Sequence, residues 1–304
     1  MEPTAASNVR PRPALFRALG RQEPPALVEI DGHQYTMARL VKHDSWAATA
    51  IYEGPAGQVV CKFNRTQSLL GIPMEWLGRR LAGREVRFLE LLKDVACIPP
   101  ACGPVYDVSA SQRLCTTAAA HAFVEGHPMR SREQLEERFF LLLRETLDVI
   151  HSRGMAYVDL HKRSNILVQD DGTPCLIDFQ VCYRPEGIAA RFWPCKVLLR
   201  WLQQIDDYHY IKHVLRHCRA MIPEGEQSLD LHRHWTIRLW RKIATPLRAL
   251  RRNLLVLVGV RQRSGRPETE LEPEEADRKN AELEIRDRQI RDEREGRCKK
   301  EESK

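Results

Sequence analysis

The chain has 304 residues and carries 48 basic against 41 acidic side chains, a formal net charge of +7. That length supports one large domain or two lobes with a substantial core. The longest apolar run, Leu254 to Val260, is far too short to cross a bilayer, and the opening stretch lacks an apolar signal core, so a soluble or peripheral protein is expected. Nine cysteines stand singly, without a C-x-x-C pair or any pattern of zinc ligands, which points to a reducing cytoplasm. From Arg261 onward there are 13 basic and 14 acidic residues, so the body before it is 35 minus 27, or +8. A basic body suits anionic ligands such as nucleotides, phosphorylated sugars or an acidic membrane surface. No nucleic-acid recognition motif is present, and none of that class of partner is expected.

Residues 1–27, rich in Pro, Ala and Arg, read as a flexible arm. A short strand is expected at Leu27 to Ile30, followed by a turn at Asp31-Gly32 and a second strand over His33 to Leu40. A hairpin then joins Ala47–Tyr52 to Gln58–Phe63 through the turn Glu53-Gly54-Pro55-Ala56-Gly57. Its second strand, QVVCKFNR, carries Lys62 after two β-branched residues. In LAGREVRFLELLKD, Leu81, Val86, Leu89 and Leu92 recur at helical spacing, which predicts a helix over Leu81 to Asp94 with Glu85 near its start. A strand-like stretch ends at Phe123-Val124-Glu125-Gly126. The clearest helix spans residues 131–153: Ser131 with Gln134 makes a capping-box pattern, Leu135, Phe139, Leu142, Leu143, Leu147 and Ile150 form an apolar stripe, and Gly154 ends it.

The stretch YVDLHKRSNILVQDDGTPCLIDFQ, Tyr157 to Gln180, is the most informative. It sets Asp159 and Asn165 in a loop, then two apolar runs joined by Asp170-Asp171-Gly172, a strong hairpin signal, and delivers Asp178 where the hairpin ends. A base, an amide oxygen and a carboxylate brought together in this way can position a hydroxyl and hold Mg²⁺ for phosphoryl transfer.

This segment resembles the catalytic and metal-binding loops of the protein-kinase-like superfamily, H-R-D-x-x-x-x-N followed by D-F-G, and is most similar to its bacterial lipopolysaccharide-core (heptose and Kdo) kinases. Three departures stand out: Tyr157-Val158 replace His-Arg, Asn165 lies one residue further on, and Gln180 replaces the glycine. The resemblance, covering roughly Ile30 to Ala220, implies an α+β fold of two lobes, a small β-rich N-lobe and a mainly helical C-lobe. The divisions expected are 1–27 arm, 28–126 N-lobe, 127–260 C-lobe and 261–304 a charged tail, disordered or a solvated helix.

The resemblance also implies roles. Lys62 neutralises the α- and β-phosphates of ATP, held by Glu85, with Glu90 the alternative. Asn165 and Asp178 hold Mg²⁺, and Asp159 takes the proton of the acceptor hydroxyl. Lys162, or alternatively His161, balances charge on the γ-phosphate. The Gly-rich phosphate loop is absent; in its place VKHDSWAATAIYEG offers Ser45 and its backbone N–H groups to phosphate. Glu125 falls in the hinge that binds adenine, and Asp206-Asp207 are candidates to anchor the catalytic loop from a following helix. Arg184, Arg191 and Lys196 can hold an anionic acceptor, and Trp235, Leu239, Trp240 and Ile243 with Arg238, Arg241 and Lys242 form either a closing helix or a membrane-surface face. The favoured function is a cytoplasmic kinase of a sugar or glycolipid such as lipopolysaccharide core, with peripheral contact at the inner face of the membrane as an option. A Ser/Thr protein kinase and a pseudokinase binding module are the alternatives.

Overall fold

Among the residues described by the computed structural model, which are 13–69, 71–131, 133–229 and 231, the chain forms ten β-strands and four α-helices in mixed α+β order. The first 12 residues, the basic aromatic stretch 232–260 and the charged tail 261–304 lie outside the described residues, and with them the expectations placed there.

Strands β1 (Leu27–Ile30), β2 (His33–His43), β3 (Ala47–Gly54) and β4 (Gly57–Asn64) follow one another as antiparallel neighbours. With β5 (Tyr106–Asp107), β6 (Arg113–Leu114) and β7 (Ala118–Ala122) they make a curled seven-stranded antiparallel sheet in the order β6-β5-β1-β2-β3-β4-β7. The β3–β4 turn closes where predicted, with Gly54 opposite Gly57, whose φ of +103° suits a residue without a side chain. Strand β2 runs three residues longer than expected, to His43. Its register slips between Met37 and Arg39 and again between Leu40 and Lys42, irregularities of the kind that add twist and bend to a strand. One face of the sheet buries Val28, Ile30, Tyr52, Cys61, Phe63 and Ala120 in an apolar core.

Residues 13–26, expected as part of a flexible arm, pack against this sheet. Ala18 is fully buried and its N–H donates to the Asp44 carbonyl at 2.7 Å. The buried Arg65 guanidinium donates to the carbonyls of Ser45 (2.7 Å) and Leu15 (2.9 Å). Backbone carbonyls thus satisfy its two terminal nitrogens without a carboxylate, while the buried Nε makes no hydrogen bond.

Helix α1 (Glu75–Leu91) starts six residues before the expected Leu81. Its inner face is Gly78, Ala82, Glu85 and Leu89, spaced by four, three and four residues. Gly78 is required at this crossing, because a Cβ there would lie 2.5 Å from the Arg65 carbonyl. From β7 the chain passes through Gly126 into β8 (His127–Pro128), the edge of a second, three-stranded sheet with β9 (Ile166–Val168) and β10 (Pro174–Leu176) in the order β10-β9-β8.

Helix α2 (Glu137–Ser152) begins later than the capping-box pattern at Ser131 indicates. The physical reason is competition. Glu133 turns its carboxylate back to the Arg130 N–H at 3.0 Å and to His127 at 3.3 Å, while the Leu135 N–H donates to the His217 carbonyl at 3.1 Å. Its C-terminus is as predicted, with Gly154 at φ +68° donating to the His151 carbonyl. Phe139, Leu143, Leu147 and Ile150 of the expected stripe are buried, packing with Phe88 and Leu89 of α1 and with Ile166, Leu176 and Phe179 in a second apolar core. A short helix α3 (Ile188–Arg191) leads into α4 (Trp193–His217), which contributes Val214 to that core. The eight cysteines among the described residues are free thiols, and no described helix is long and apolar enough to cross a membrane.

Candidate active site

Alternation along β4 sends Cys61 and Phe63 into the sheet core and Lys62 to the opposite face, across from Thr49 on β3 and Ala119 on β7. There the Lys62 ammonium donates to Asp178 Oδ1 at 2.7 Å and lies 3.5 Å from Glu85 Oε2. All three groups come from different elements: a strand, helix α1 and the segment after β10. Glu90, the alternative partner, is exposed and pairs with Lys93.

The same segment after β10 is tied to α1 twice more. Arg84 donates from Nε to the Gln180 carbonyl at 3.1 Å and from its terminal nitrogen to the Cys182 carbonyl. Gln180 donates from its amide to Asn64 Oδ1 on β4 and also hydrogen-bonds Glu85. A glycine at position 180 has no side chain to make either contact.

Two residues near the site hold a positive φ, one in the Asp159 loop and one after β10. Val158 has φ +72°, and the Asp159 N–H folds back to the Tyr157 carbonyl at 2.9 Å across it, a three-residue turn that β-branched residues rarely adopt. Asp178 itself sits at φ +66°. Asp206, fully buried on α4, holds the loop by accepting the N–H of Tyr157 at 2.7 Å and of Val158 at 2.8 Å, with His151 Nε2 at 3.2 Å. His213, one helical turn beyond His209 on α4, faces the Leu160 carbonyl with Nε2 at 2.8 Å. Asp207 pairs instead with Arg144 on α2 at 2.7 Å.

The two loops are joined through Ile177. Its N–H donates to the Asn165 carbonyl at 3.0 Å and its carbonyl accepts the Tyr157 hydroxyl. Asp159 Oδ2 accepts Lys162 Nζ at 2.6 Å and the Asn165 amide at 3.0 Å, and its Oδ1 lies 3.2 Å from His161 Nδ1. The Asn165 amide nitrogen donates to Asp159, and its amide oxygen, which accepts the Ser164 hydroxyl at 3.5 Å, keeps a second lone pair that can face a cation. Together with the Asp178 carboxylate this is a small set of hard oxygen donors, which fits Mg²⁺, an ion held by one or two carboxylates with water and phosphate oxygens completing its shell.

The electrostatics follow from this packing. Burial works to raise the Asp178 pKa, but the charge and hydrogen bond of Lys62 prevail, helped by Lys42 and Lys162, and hold it at about 2. Burial would depress Lys62, yet Glu85 and Asp178 hold its pKa above the ordinary lysine value. Burial raises Glu85 above the ordinary carboxylate range against the pull of Lys62, with Asp178 adding to the rise. His121, opposite Val60 on the Lys62 face, is pushed down to about 4 by burial, opposed by its bond to the Ala122 carbonyl and reinforced by Lys62, so it is neutral there.

Lys62, Glu85 and Asp178 therefore form one set of contacts, with Glu85 a partner of Lys62, and Asp159, Lys162 and Asn165 a second, the two segments being joined through Ile177. Ser45 is placed otherwise. The Ser45 hydroxyl donates to the Phe16 carbonyl at 3.1 Å, and the two N–H groups that follow it, of Trp46 and Ala47, are taken by the Asp44 carboxylate at 2.6 and 2.8 Å. Glu125 is exposed in the segment between β7 and β8. Sequence reasoning missed Lys42, Arg84, Asn64 and His121. Of these, Lys42 had a signal, since it stands just before the β2–β3 turn on a strand paired to the Lys62 hairpin. No protein-family model matches this sequence, and comparison with curated proteins gives no significant match.

Proposed function

We propose that this chain is an ATP-dependent phosphotransferase of two-lobed, protein-kinase-like architecture, passing the γ-phosphoryl group of Mg-ATP to a hydroxyl of a sugar or glycolipid such as lipopolysaccharide core. The observation that carries this reading is the convergence of Lys62, Glu85 and Asp178 on one side with Asp159, Lys162 and Asn165 on the other, joined through Ile177. Lys62 would neutralise the α- and β-phosphates, with its ammonium held by Glu85. Asp178 and Asn165 are the residues to hold Mg²⁺, which when bound offsets phosphate charge. Asp159 orients the acceptor hydroxyl and receives its proton as the new oxygen–phosphorus bond forms and the bond to the ADP oxygen breaks. Lys162 lies against the Asp159 carboxylate, where charge on the transferring group develops. The missing Gly-rich loop favours a small acceptor over a protein, and a glycolipid acceptor puts the enzyme at the cytoplasmic face of a membrane.

One observation favours a second reading, a nucleotide-indifferent binding module: Asp44 fills the turn N–H groups that would otherwise face phosphate. The deciding measurement is transfer of label from γ-labelled ATP with Mg²⁺, comparing wild type and Asp159→Asn on glycolipid and protein acceptors separately. Label entering glycolipid with wild type alone is the expected result. Label entering protein reassigns the acceptor, and absence of both label and ATP binding overturns the enzyme reading in favour of the binding module.

A further inference from the structure

The first half of helix α4 turns one long face to solvent, while Gln203 on its other side donates to the His151 and Met155 carbonyls. Its buried residues are Asp206, Tyr208, His213, Val214 and His217, so none lies in the stretch 193–205, a length of roughly 20 Å at the helical rise per residue. Trp193 is 71% exposed, Val197 52% and Leu198 37%, and just before them Ile188 is 89% and Phe192 57% exposed. Trp193 and Val197 stand one turn apart, as do Lys196 and Arg200, so an apolar row and a cationic row run side by side. The segment 187–200 holds three basic residues and no acidic one. An apolar patch of this extent marks a binding surface.

The charges decide among its occupants. A symmetric second copy would set the same patch on itself, three cations against three. The chain's own stretch 232–260 carries seven basic residues and no acidic one, so it too would bring like charge. An anionic phospholipid surface satisfies both sets of cations and accepts the aromatic and aliphatic side chains at the depth of its headgroups, where tryptophan is favoured. We propose that α3 and the amino-terminal half of α4, through Ile188, Phe192, Trp193 and Val197 with Arg191, Lys196 and Arg200, form a docking face for an anionic lipid bilayer. The proposal does not depend on the phosphotransferase reading, and lipid binding is measured without any turnover.

The test is co-sedimentation of the full chain with vesicles of phosphatidylcholine alone or mixed with phosphatidylglycerol, in parallel with Arg191→Gln/Lys196→Gln/Arg200→Gln and with Phe192→Ser/Trp193→Ser. Every substituted residue is exposed, and circular dichroism verifies that the variants are folded. Wild type is expected to partition onto the anionic vesicles preferentially and to be released by salt. Removing the three cations should weaken partitioning roughly a hundredfold, about fivefold for each charge, and the aromatic pair should also weaken it. Quenching by brominated lipid of the emission that Trp193→Phe removes would place the indole in the headgroup region. Three outcomes overturn the proposal: no vesicle binding, binding unchanged in both variants, which moves the contact to residues 232–260, or concentration-dependent dimers of the wild type that the aromatic variant abolishes.

Discussion

Asp206, wholly buried on α4, accepts the N–H of Val158 at 2.8 Å, and Val158 holds φ at +72°. A β-branched residue in that conformation is strained by about 1–3 kcal/mol and persists only where its surroundings over-determine it. Here the carboxylate under the loop does so, gripping two consecutive N–H groups. Asp206→Asn keeps one acceptor but turns an N–H toward a backbone donor, and should cost about 2–4 kcal/mol of folding free energy. Val158→Gly relieves the strain while adding chain entropy to the unfolded state, and should fall within about 1 kcal/mol of wild type. Denaturant midpoints measure both, and equal losses in the two variants would argue against Asp206 as the anchor.

Asp178 makes stability depend on pH. Its carboxyl has an ordinary value of 3.8 and is held at about 2 in the fold, where the Lys62 interactions outweigh burial. The unfolded chain therefore binds this proton more tightly than the folded one. The contribution is present in full above the unfolded value and is lost as pH falls through 3.8 toward 2. It amounts to about 2 kcal/mol. Urea unfolding followed over that acid range should show wild type losing this much more than Asp178→Asn; parallel curves would mean that the carboxylate is not paired in solution.

What could be read from the residues and what could not divide along sequence distance. The Asp170-Asp171-Gly172 turn, the Gly154 helix end and the delivery of Asp178 after β10 are local, set by turn chemistry and by alternation within a few residues. Glu85 was reached through its place near the expected helix start and the kinase resemblance, and the fold adds that it shares a buried face with Gly78, Ala82 and Leu89, a face that Glu90 does not share. Ser45 was not, because its hydroxyl is taken by Phe16, 29 residues earlier, in a stretch whose composition resembles a mobile arm. The late start of α2 is of the same kind, since the partner of the Leu135 N–H is the His217 carbonyl at the far end of α4.

Gln180 illustrates the same point as a departure from the kinase pattern that the fold absorbs. Its amide reaches Asn64, 116 residues away, and it hydrogen-bonds the buried Glu85. Replacing it with the glycine of the familiar motif should not improve the protein. Gln180→Gly removes both bonds and adds backbone freedom, with an expected loss of about 1–3 kcal/mol. Thermal or denaturant unfolding checks this, and a stabilised variant would show that the Asn64 contact contributes nothing.

Lys162 and His161 both approach Asp159, but on different oxygens. Lys162 Nζ is 2.6 Å from Oδ2, and His161 Nδ1 is 3.2 Å from Oδ1. The His161 ring also lies against His209, with centroids 5.6 Å apart, and His209 is pushed down to about 3, by burial first and then by the neighbouring charge of His161. His161 is thus part of a histidine contact on α4, while Lys162 supplies a fixed positive charge beside the base. Under the phosphotransferase reading, Lys162→Met should lower kcat by about 10²–10³ with little change in the KM for ATP, as expected of charge stabilisation confined to the transition state. His161→Asn should lower kcat less than about tenfold, because its ring is a neighbour of the base and not the compensating charge. Steady-state rates with γ-labelled ATP separate the two, and a larger loss in the histidine variant would transfer the role to His161.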